Sequence, residues 1–329
     1  SGGSSGRWRH YWWVAARERT AGTVRRVSSA PTIPAVGDDT LPDERPTWSV
    51  MIPVHDCAPL LEFALAEVVA QLRGRTDVEI VVVDDMSTDD PRAVVERVGG
   101  SAVRYVALDE PHGAIRNFNA CVEMSTGRFI HLLHGDDGVL PGFYTAMEDA
   151  FGSVPAAAVL CRTRYIDEAG AATVTTRSER SPSGWWDDAI PTLAVSNRVR
   201  PAGIVVARAT YEAIGGYRTD LPHAADWDMW VRVAAHGPIW FVDEVLSLYR
   251  VHDASDTAER MRTGENIRER IDAIEIIAES SPPDIRSKAR RQALGYAAVY
   301  AARTALRLAR RGDVRAAAAQ LWAGLGCLW

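Results

Sequence analysis

Phe129-Ile130-His131-Leu132-Leu133-His134-Gly135-Asp136-Asp137 runs from an apolar stretch straight into two adjacent carboxylates. Phe129 to Leu133 are too apolar and too few for a surface helix, so they read as a buried strand. Such a strand delivers Asp136 and Asp137 to its carboxyl end, the edge at which open α/β sheets bind ligands. Two like charges that close repel unless a cation lies between them. A hard divalent metal, Mg²⁺ or Mn²⁺, takes one or two carboxylates and fills its shell with phosphate and water. Taken alone, the pair reads better as a solvated Asp-Asp turn backed by Gly138, and the rest of the chain reverses that reading.

Working outward, Ser49 to Val54 reads as a strand and Pro59 to Leu72 as a helix with Leu61, Leu65, Val68 and Leu72 on one face. Val78 to Val83 is a second buried strand, followed by a helix over Pro91 to Val98, a strand over Val103 to Leu108 and a helix from Gly113 to Met124. Strands alternating with helices at this spacing imply a mostly parallel sheet with right-handed crossovers. Further along, the periodicity predicts helices over Asp226 to His236, from Pro283 to about Arg311, and over Val314 to Leu325, with Gly312-Asp313 breaking the last two apart.

The 329 residues are 47% hydrophobic and 24% charged with a net charge of −6, which describes an ordinary globular chain and excludes nucleic acid as the main partner for want of a basic footprint. Cys57, Cys121, Cys161 and Cys327 have no CxxC spacing and read as reduced thiols of a cytoplasmic protein. No apolar run reaches the roughly 18 residues needed to span a bilayer. Ser1 to Gly6 resembles a cloning scar, and Pro31 to Pro46 a linker with little regular structure. The expected division is residues 1–46 as scar, N-terminal segment and linker, 47–254 as an α/β domain with a nucleotide-binding-type half (47–138) and a second half (139–254), and 255–329 as a helical extension.

Neither GxGxxG nor GxxxxGK[ST] follows the first strand; His55-Asp56-Cys57-Ala58-Pro59 stands there instead, which argues against dinucleotide and P-loop enzymes. The second strand ends in Asp84-Asp85-Met86-Ser87-Thr88-Asp89. Ser87 to Asp89 are suited to capping the helix that Pro91 begins, whereas an acceptor at Asp84 or Asp85 could pair with the imide N–H of a uracil.

Ile52-Pro53-Val54-His55-Asp56, Val82 to Asp89, Gly113 to Asn117, Gly127 to Ile130 and Gly135-Asp136-Asp137 follow the order and spacing of family 2 inverting glycosyltransferases, and the chain resembles that family. Gly215-Gly216-Tyr217, Asp226-Trp227-Asp228-Met229-Trp230 and Tyr249-Arg250-Val251-His252 extend the resemblance, which covers residues 48 to 252. It implies a GT-A fold, an α/β architecture with a Rossmann-like, mostly parallel sheet flanked by helices, here followed by a C-terminal helical extension. It also implies a nucleotide-sugar donor, UDP-linked first, a Mn²⁺ or Mg²⁺ cofactor, and a glycan, lipid-linked or small-molecule acceptor. Position by position, it implies Asp85 as the base-reading carboxylate and Pro53, His55 and Asp56 in the first nucleotide-contacting loop, with Asp56 where Asn is more usual. Arg116 would lie near the donor's phosphates or base, Asp136 near the ribose hydroxyls, Asp137 and His252 at the metal, and Asp226 would be the catalytic base.

Those residue types suit the chemistry. Breaking a sugar–diphosphate bond develops negative charge that a metal stabilises, and inversion needs one base on the face opposite the leaving group. Asp226 at a helix start is favoured as an anion by the helix dipole, although a plain N-cap has the same local signature. Two departures from the family pattern stand out. His134 replaces the first Asp of Asp-x-Asp-Asp, leaving one carboxylate fewer and a potential hydrogen-bond donor to the sugar, and Ala225 replaces the Glu that usually precedes the base.

Trp185 and Trp186 follow Thr173 to Ser183, a polar stretch that reads as a loop, and either stack on a sugar or are buried beneath it. Trp227 is a core residue by its spacing to Trp230 but neighbours the base. His112, His131, His223 and His236 lack metal-ligand spacing and read as structural or surface residues. The extension carries nine basic against two acidic residues between Asp284 and Arg315. It is expected to cover the catalytic domain or form a homodimer, or else to lie as a basic amphipathic surface at the inner face of a membrane. Two other classes stay open: a sugar-nucleotide-binding scaffold without turnover, and a nucleotidyltransferase, whose Gly-rich opening loop is absent.

Overall fold

The computed structural model describes residues 29–36, 45–252 and 256–328. The expected scar, most of the expected N-terminal segment, and residues 37–44 of the linker expected over Pro31 to Pro46 lie outside these residues. The chain opens with β1 (Trp48–Val54), α1 (Ala58–Leu72), β2 (Val78–Asp84), α2 (Pro91–Val98), β3 (Arg104–Ala107), α3 (Ala114–Met124) and β4 (Phe129–Leu132). There follow β5 (Gly138–Val139), α4 (Phe143–Ser153), β6 (Ala158–Ile166), β7 (Ala172–Thr175), β8 (Gly184–Trp185) and α5 (Ala189–Leu193). The α/β part closes with β9 (Ile204–Ala207), α6 (Arg208–Ile214), α7 (Ala225–His236) and β10 (Ile239–Arg250). Four helices complete the chain: α8 (Asp256–Thr263), α9 (Glu265–Ser280), α10 (Pro283–Arg310) and α11 (Val314–Leu325).

One sheet runs in the order β3-β2-β1-β4-β9-β6-β10-β5, with β7 on β6 and β8 on β10. The pairs β1 with β2 and β4, β2 with β3, and β6 with β10 are parallel, and β9 is inserted antiparallel between β4 and β6. A central parallel strand is covered on both faces, which is why β1 is buried along its whole length. Its residues alternate between two cores: Val50, Ile52 and Val54 pack toward α1, α2 and α4, whereas Met51 faces the other side.

That second core does not stop at residue 254. It joins Met51, Val81 and Val83 of the sheet, Trp227 and Trp230 of α7, Ile267, Ile274 and Ile277 of α9, and Ala293 and Ala297 of α10. The C-terminal helices are therefore built into the interior of the α/β fold rather than hung from it. The polar stretch from Thr173, expected as a loop, starts as strand β7, because its backbone pairs with the edge of β6 through Val174 and Thr175. Among the described residues no helix is long and apolar enough to cross a membrane, and all four cysteines are free thiols.

Candidate active site

The carboxyl ends of β1, β2, β4 and β10 meet at one edge of the sheet. β4 is extended by hydrogen bonds from Leu133 N–H to the Met51 carbonyl (3.0 Å) and from Gly135 N–H to the Pro53 carbonyl (3.3 Å). Gly135 is required by close approach: a Cβ there would lie 2.8 Å from Val54 Cγ1 and 2.9 Å from Cys57 Sγ. The chain then turns, and Asp136 and Asp137 are tied down by the closing motif on β10. Arg250 donates its backbone N–H to Asp137 Oδ1 (2.9 Å) and its Nε–H to the Asp136 carbonyl (3.0 Å), and His252 Nε2 lies 3.0 Å from Asp136 Oδ2. Motifs separated by more than a hundred residues thus form one unit.

Asp137 is 1% exposed, and its Oδ2 is a buried atom without a hydrogen-bond partner. His134 Nδ1 lies 4.0 Å from that oxygen, and Nε2 of the same ring is also buried and unpartnered. One ligand-type atom from each of His134, Asp136 and Asp137 falls within 4.8 Å of the others. Orphaned buried polar atoms are costly, and an O/N/O donor set of this kind fits a divalent cation. Burial, then the adjacent Asp136 charge, pushes the Asp137 carboxyl well above its ordinary range. Burial acts on Asp136 in the same direction, but the hydrogen bond from His252 and the nearby imidazoles outweigh it and hold that carboxyl low. The same hydrogen bond raises His252. Burial lowers His134, against the pull of Asp136 and Asp226, and its ring stacks on Phe118 at 4.7 Å.

Asp226 sits at the start of α7. Asn197 Nδ2 donates to its Oδ2 (2.8 Å) and the Trp227 N–H to its Oδ1 (2.7 Å). It lies within electrostatic reach of His134, Arg200, Tyr217 and Arg270, so the carboxyl end of β4 and the start of α7 share one region. The turn before α7 is fixed by Glu269 of α9, which accepts the backbone N–H groups of His223 and Ala224 (2.8 Å for the latter). The Gly215-Gly216-Tyr217 turn is close-packed: a Cβ on Gly216 would lie 2.4 Å from Asn119 Oδ1, the atom that accepts the Tyr217 N–H.

The remaining expected residues fall into place unevenly. Asp85 is buried and accepts the N–H groups of His112 and Gly113 (2.7 Å each) at the start of α3, which leaves further lone pairs on both oxygens. His55 Nδ1 is 2.7 Å from the Asp85 carbonyl. Asp56, with φ +46°, accepts the Thr88 N–H and hydroxyl, and those two bonds, the backbone one first, lower its carboxyl. Arg116 is exposed on the outer face of α3, in a groove of about 550 Å³ shared with His112, Asn119, Glu123 and Pro31.

Of the aromatic alternatives, burial and packing fit the structure and stacking on a sugar does not. Trp185 pairs with Trp240 at the amino end of β10, whereas the acidic cluster lies past Arg250 at its carboxyl end. At about 3.3 Å per residue, that separates them by roughly 30 Å. Trp186 is buried beside it, so neither ring reaches a sugar bound at the cluster. Trp227 is 2% exposed, its indole N–H donates to the Leu193 carbonyl (2.6 Å), and Arg270 covers its ring at 5.5 Å, so it is a packing residue. Of the other histidines, His131 is buried between the Tyr144 hydroxyl (3.1 Å) and the Ala202 carbonyl (3.3 Å), a structural role as expected.

A mostly parallel sheet that gathers these carboxylates and imidazoles at its carboxyl edge is the architecture of the GT-A glycosyltransferases. The family described as Glycosyl transferase family 2 matches residues 49–204, so that stretch of the chain carries the family's domain. It is 28% identical over 259 residues to the uncharacterized protein MT1568 of Mycobacterium tuberculosis, covering 74% of this chain and 80% of that one. Among solved structures, the mannosyltransferase PcManGT of Pyrobaculum calidifontis, in complex with GDP-Man and Mn²⁺, superposes with a TM-score of 0.57 at 20% identity over 98% of this chain and 94% of that one. S. aureus TarS 1-349 in complex with UDP gives a TM-score of 0.57 at 15% identity, over 75% and 70% of the two chains. These structural likenesses concern the fold.

Proposed function

We propose that this chain is a metal-dependent, inverting glycosyltransferase that moves a sugar from a nucleoside-diphosphate donor, UDP-linked first, to an acceptor hydroxyl in polysaccharide, glycolipid or glycoconjugate synthesis. The observation that carries the reading is the buried, unpartnered Oδ2 of Asp137 facing His134 and Asp136 at the carboxyl edge of the sheet. Asp137 and Asp136 would hold the metal, with His134 beside them and His252 steering Asp136. When bound, the ion supplies Lewis-acid stabilisation of the charge on the departing diphosphate. Solved relatives of the same fold that carry UDP, or GDP-Man with Mn²⁺, support this class of donor.

The chain's own residues do the rest. Asp226 takes the acceptor's proton as attack proceeds, from the face opposite the leaving group. Asn197 and the Trp227 amide hold its two oxygens in place. Asp85, braced by the His112 and Gly113 amides, presents its remaining lone pairs to the nucleotide base. His55 and Asp56 border the same loop, and Pro53 fixes the Gly135 turn through its carbonyl.

The test is thermal unfolding against UDP, GDP, dTDP and CDP, each with and without Mn²⁺ or Mg²⁺. A ligand held only by the folded chain at a hundredfold excess over its Kd stabilises it by about 2.7 kcal/mol. One nucleotide should give a metal-dependent shift that Asp137→Ala abolishes. No shift with any nucleotide would overturn the proposal and favour a scaffold without turnover.

A further inference from the structure

The site contains two guanidinium groups that the mechanism above does not use. Arg200, in the segment before β9, is half-buried between the rings of Tyr165 (5.8 Å) and Tyr249 (5.7 Å). It donates to the Tyr165 hydroxyl (2.5 Å) and the Val199 carbonyl (2.8 Å), and has no ion pair with any described carboxylate. Arg270, on α9, lies over Trp227 at 5.5 Å and over Tyr300 at 4.9 Å. Among the described residues it makes no hydrogen bond and no ion pair, and it is half-buried with its nitrogens not sealed from solvent. Both lie within electrostatic reach of Asp226 and of each other.

A guanidinium carries five donors, and taking one partly out of water without an acceptor is costly. Stacking on an aromatic face returns part of that cost, but satisfies none of the donors. Two such groups beside each other repel. Elsewhere partly buried or buried arginines find acceptors, either acids, as in Arg208 with Glu212 (3.0 Å) and Arg232 with Asp228 (2.8 Å), or backbone carbonyls, as in Arg250. Arg270, with no acceptor of its own, stacks on Trp227, the residue next to the proposed base.

We infer that Arg270, with Arg200 behind it, forms an anion subsite for the acceptor, so that this chain glycosylates a substrate bearing a phosphate or carboxylate near the reacting hydroxyl. The planar fork of Arg suits both oxyanions. This rests on the glycosyltransferase reading and adds to it the acceptor's chemical class, together with a residue from the C-terminal helices at the site.

The experiment uses the full chain preloaded with Mn²⁺ and whichever nucleotide stabilises it, so that the donor's own phosphate positions are occupied. Glycerol 3-phosphate and glucuronate are titrated calorimetrically against glycerol and glucose. At least one charged probe should bind tenfold or more tightly than its neutral partner, the phosphate and carboxylate arms telling the two anions apart. Arg270→Gln should remove that preference, Arg270→Lys should keep part of it, and both variants should retain the nucleotide shift, which also certifies their folding. Equal binding of charged and neutral probes, or a preference that survives Arg270→Gln, overturns the inference. Absence of the nucleotide shift in the wild-type chain overturns the glycosyltransferase reading instead.

Discussion

Asp137 is the residue at which stability and activity pull apart. Its carboxyl is buried, raised by that burial and by Asp136, and carries an unsatisfied oxygen. Asp137→Asn removes the buried charge beside Asp136 while keeping the shape and the acceptor for the Arg250 N–H, so the metal-free protein should become more stable. The same variant should lose metal-dependent nucleotide binding. Chemical denaturation in the presence of a chelator measures the first effect, and a wild-type-like or lower midpoint would contradict it. His131 gives a pH prediction. Burial pushes its imidazole down to about 3, so between there and its ordinary value of about 6.5 the unfolded chain takes up a proton that the folded chain refuses. Its contribution to stability is therefore intact above about pH 6.5 and falls with pH below that, at up to about 1.4 kcal/mol per unit. His131→Gln should flatten that part of the stability–pH curve, and an unchanged slope would show that other groups set it.

At the scale of elements, α7 and its flanking turns decide the geometry at Asp226. Glu269→Ala strips two backbone N–H groups in the turn before α7 of their acceptor. The expected loss is about 1–3 kcal/mol, with a fall in kcat larger than any change in donor KM. A variant whose kcat is unchanged would show that the turn tolerates the loss. Gly216→Ala forces its Cβ against Asn119 Oδ1 and should cost about 1–3 kcal/mol as overpacking, read from the unfolding midpoint. Much of this was legible in the sequence. The strand and helix periodicity from Trp48 to Leu133 survives almost to the residue, and the apolar run into Asp136-Asp137 does end at the carboxyl edge. Trp185 and Trp186 were not legible, because local pattern says that an aromatic pair follows a polar stretch but not at which end of a strand it pairs. Arg200, Asn197, Glu269 and Arg270 were missed because their neighbours in space lie far away in sequence. The one available signal was Glu269 and Arg270 standing within the Ile267-to-Ile277 apolar pattern of α9, polar residues on a buried face.

For the whole molecule, the shared core predicts a single cooperative transition. Ile267, Ile274 and Ile277 pack in the same cluster as Met51 and Trp230, so a chain ending near residue 254 exposes the buried face of α7 and should be insoluble or lack a cooperative melt. A soluble truncation with the full-length midpoint would mean that the helices are dispensable. The face the helices turn outward is a different matter: Leu321, Trp322, Leu325 and Leu328 are about half to two-thirds exposed. The sequence expectation of a helical cover matches how these helices pack, while neither a second copy nor a membrane is needed to account for their inner side.

Glu269 and Arg270 are consecutive residues on one helix, the first gripping the backbone ahead of the proposed base and the second reaching over Trp227 toward it. Structural latch and substrate contact are thus inherited together. A homologue's C-terminal helices could be exchanged into this chain as a cassette, but no exchange could retune the acceptor without also re-seating α7. Divergence among relatives should accordingly show these two positions changing as a pair, and engineering of the extension for new acceptors should begin by holding the first fixed while varying the second.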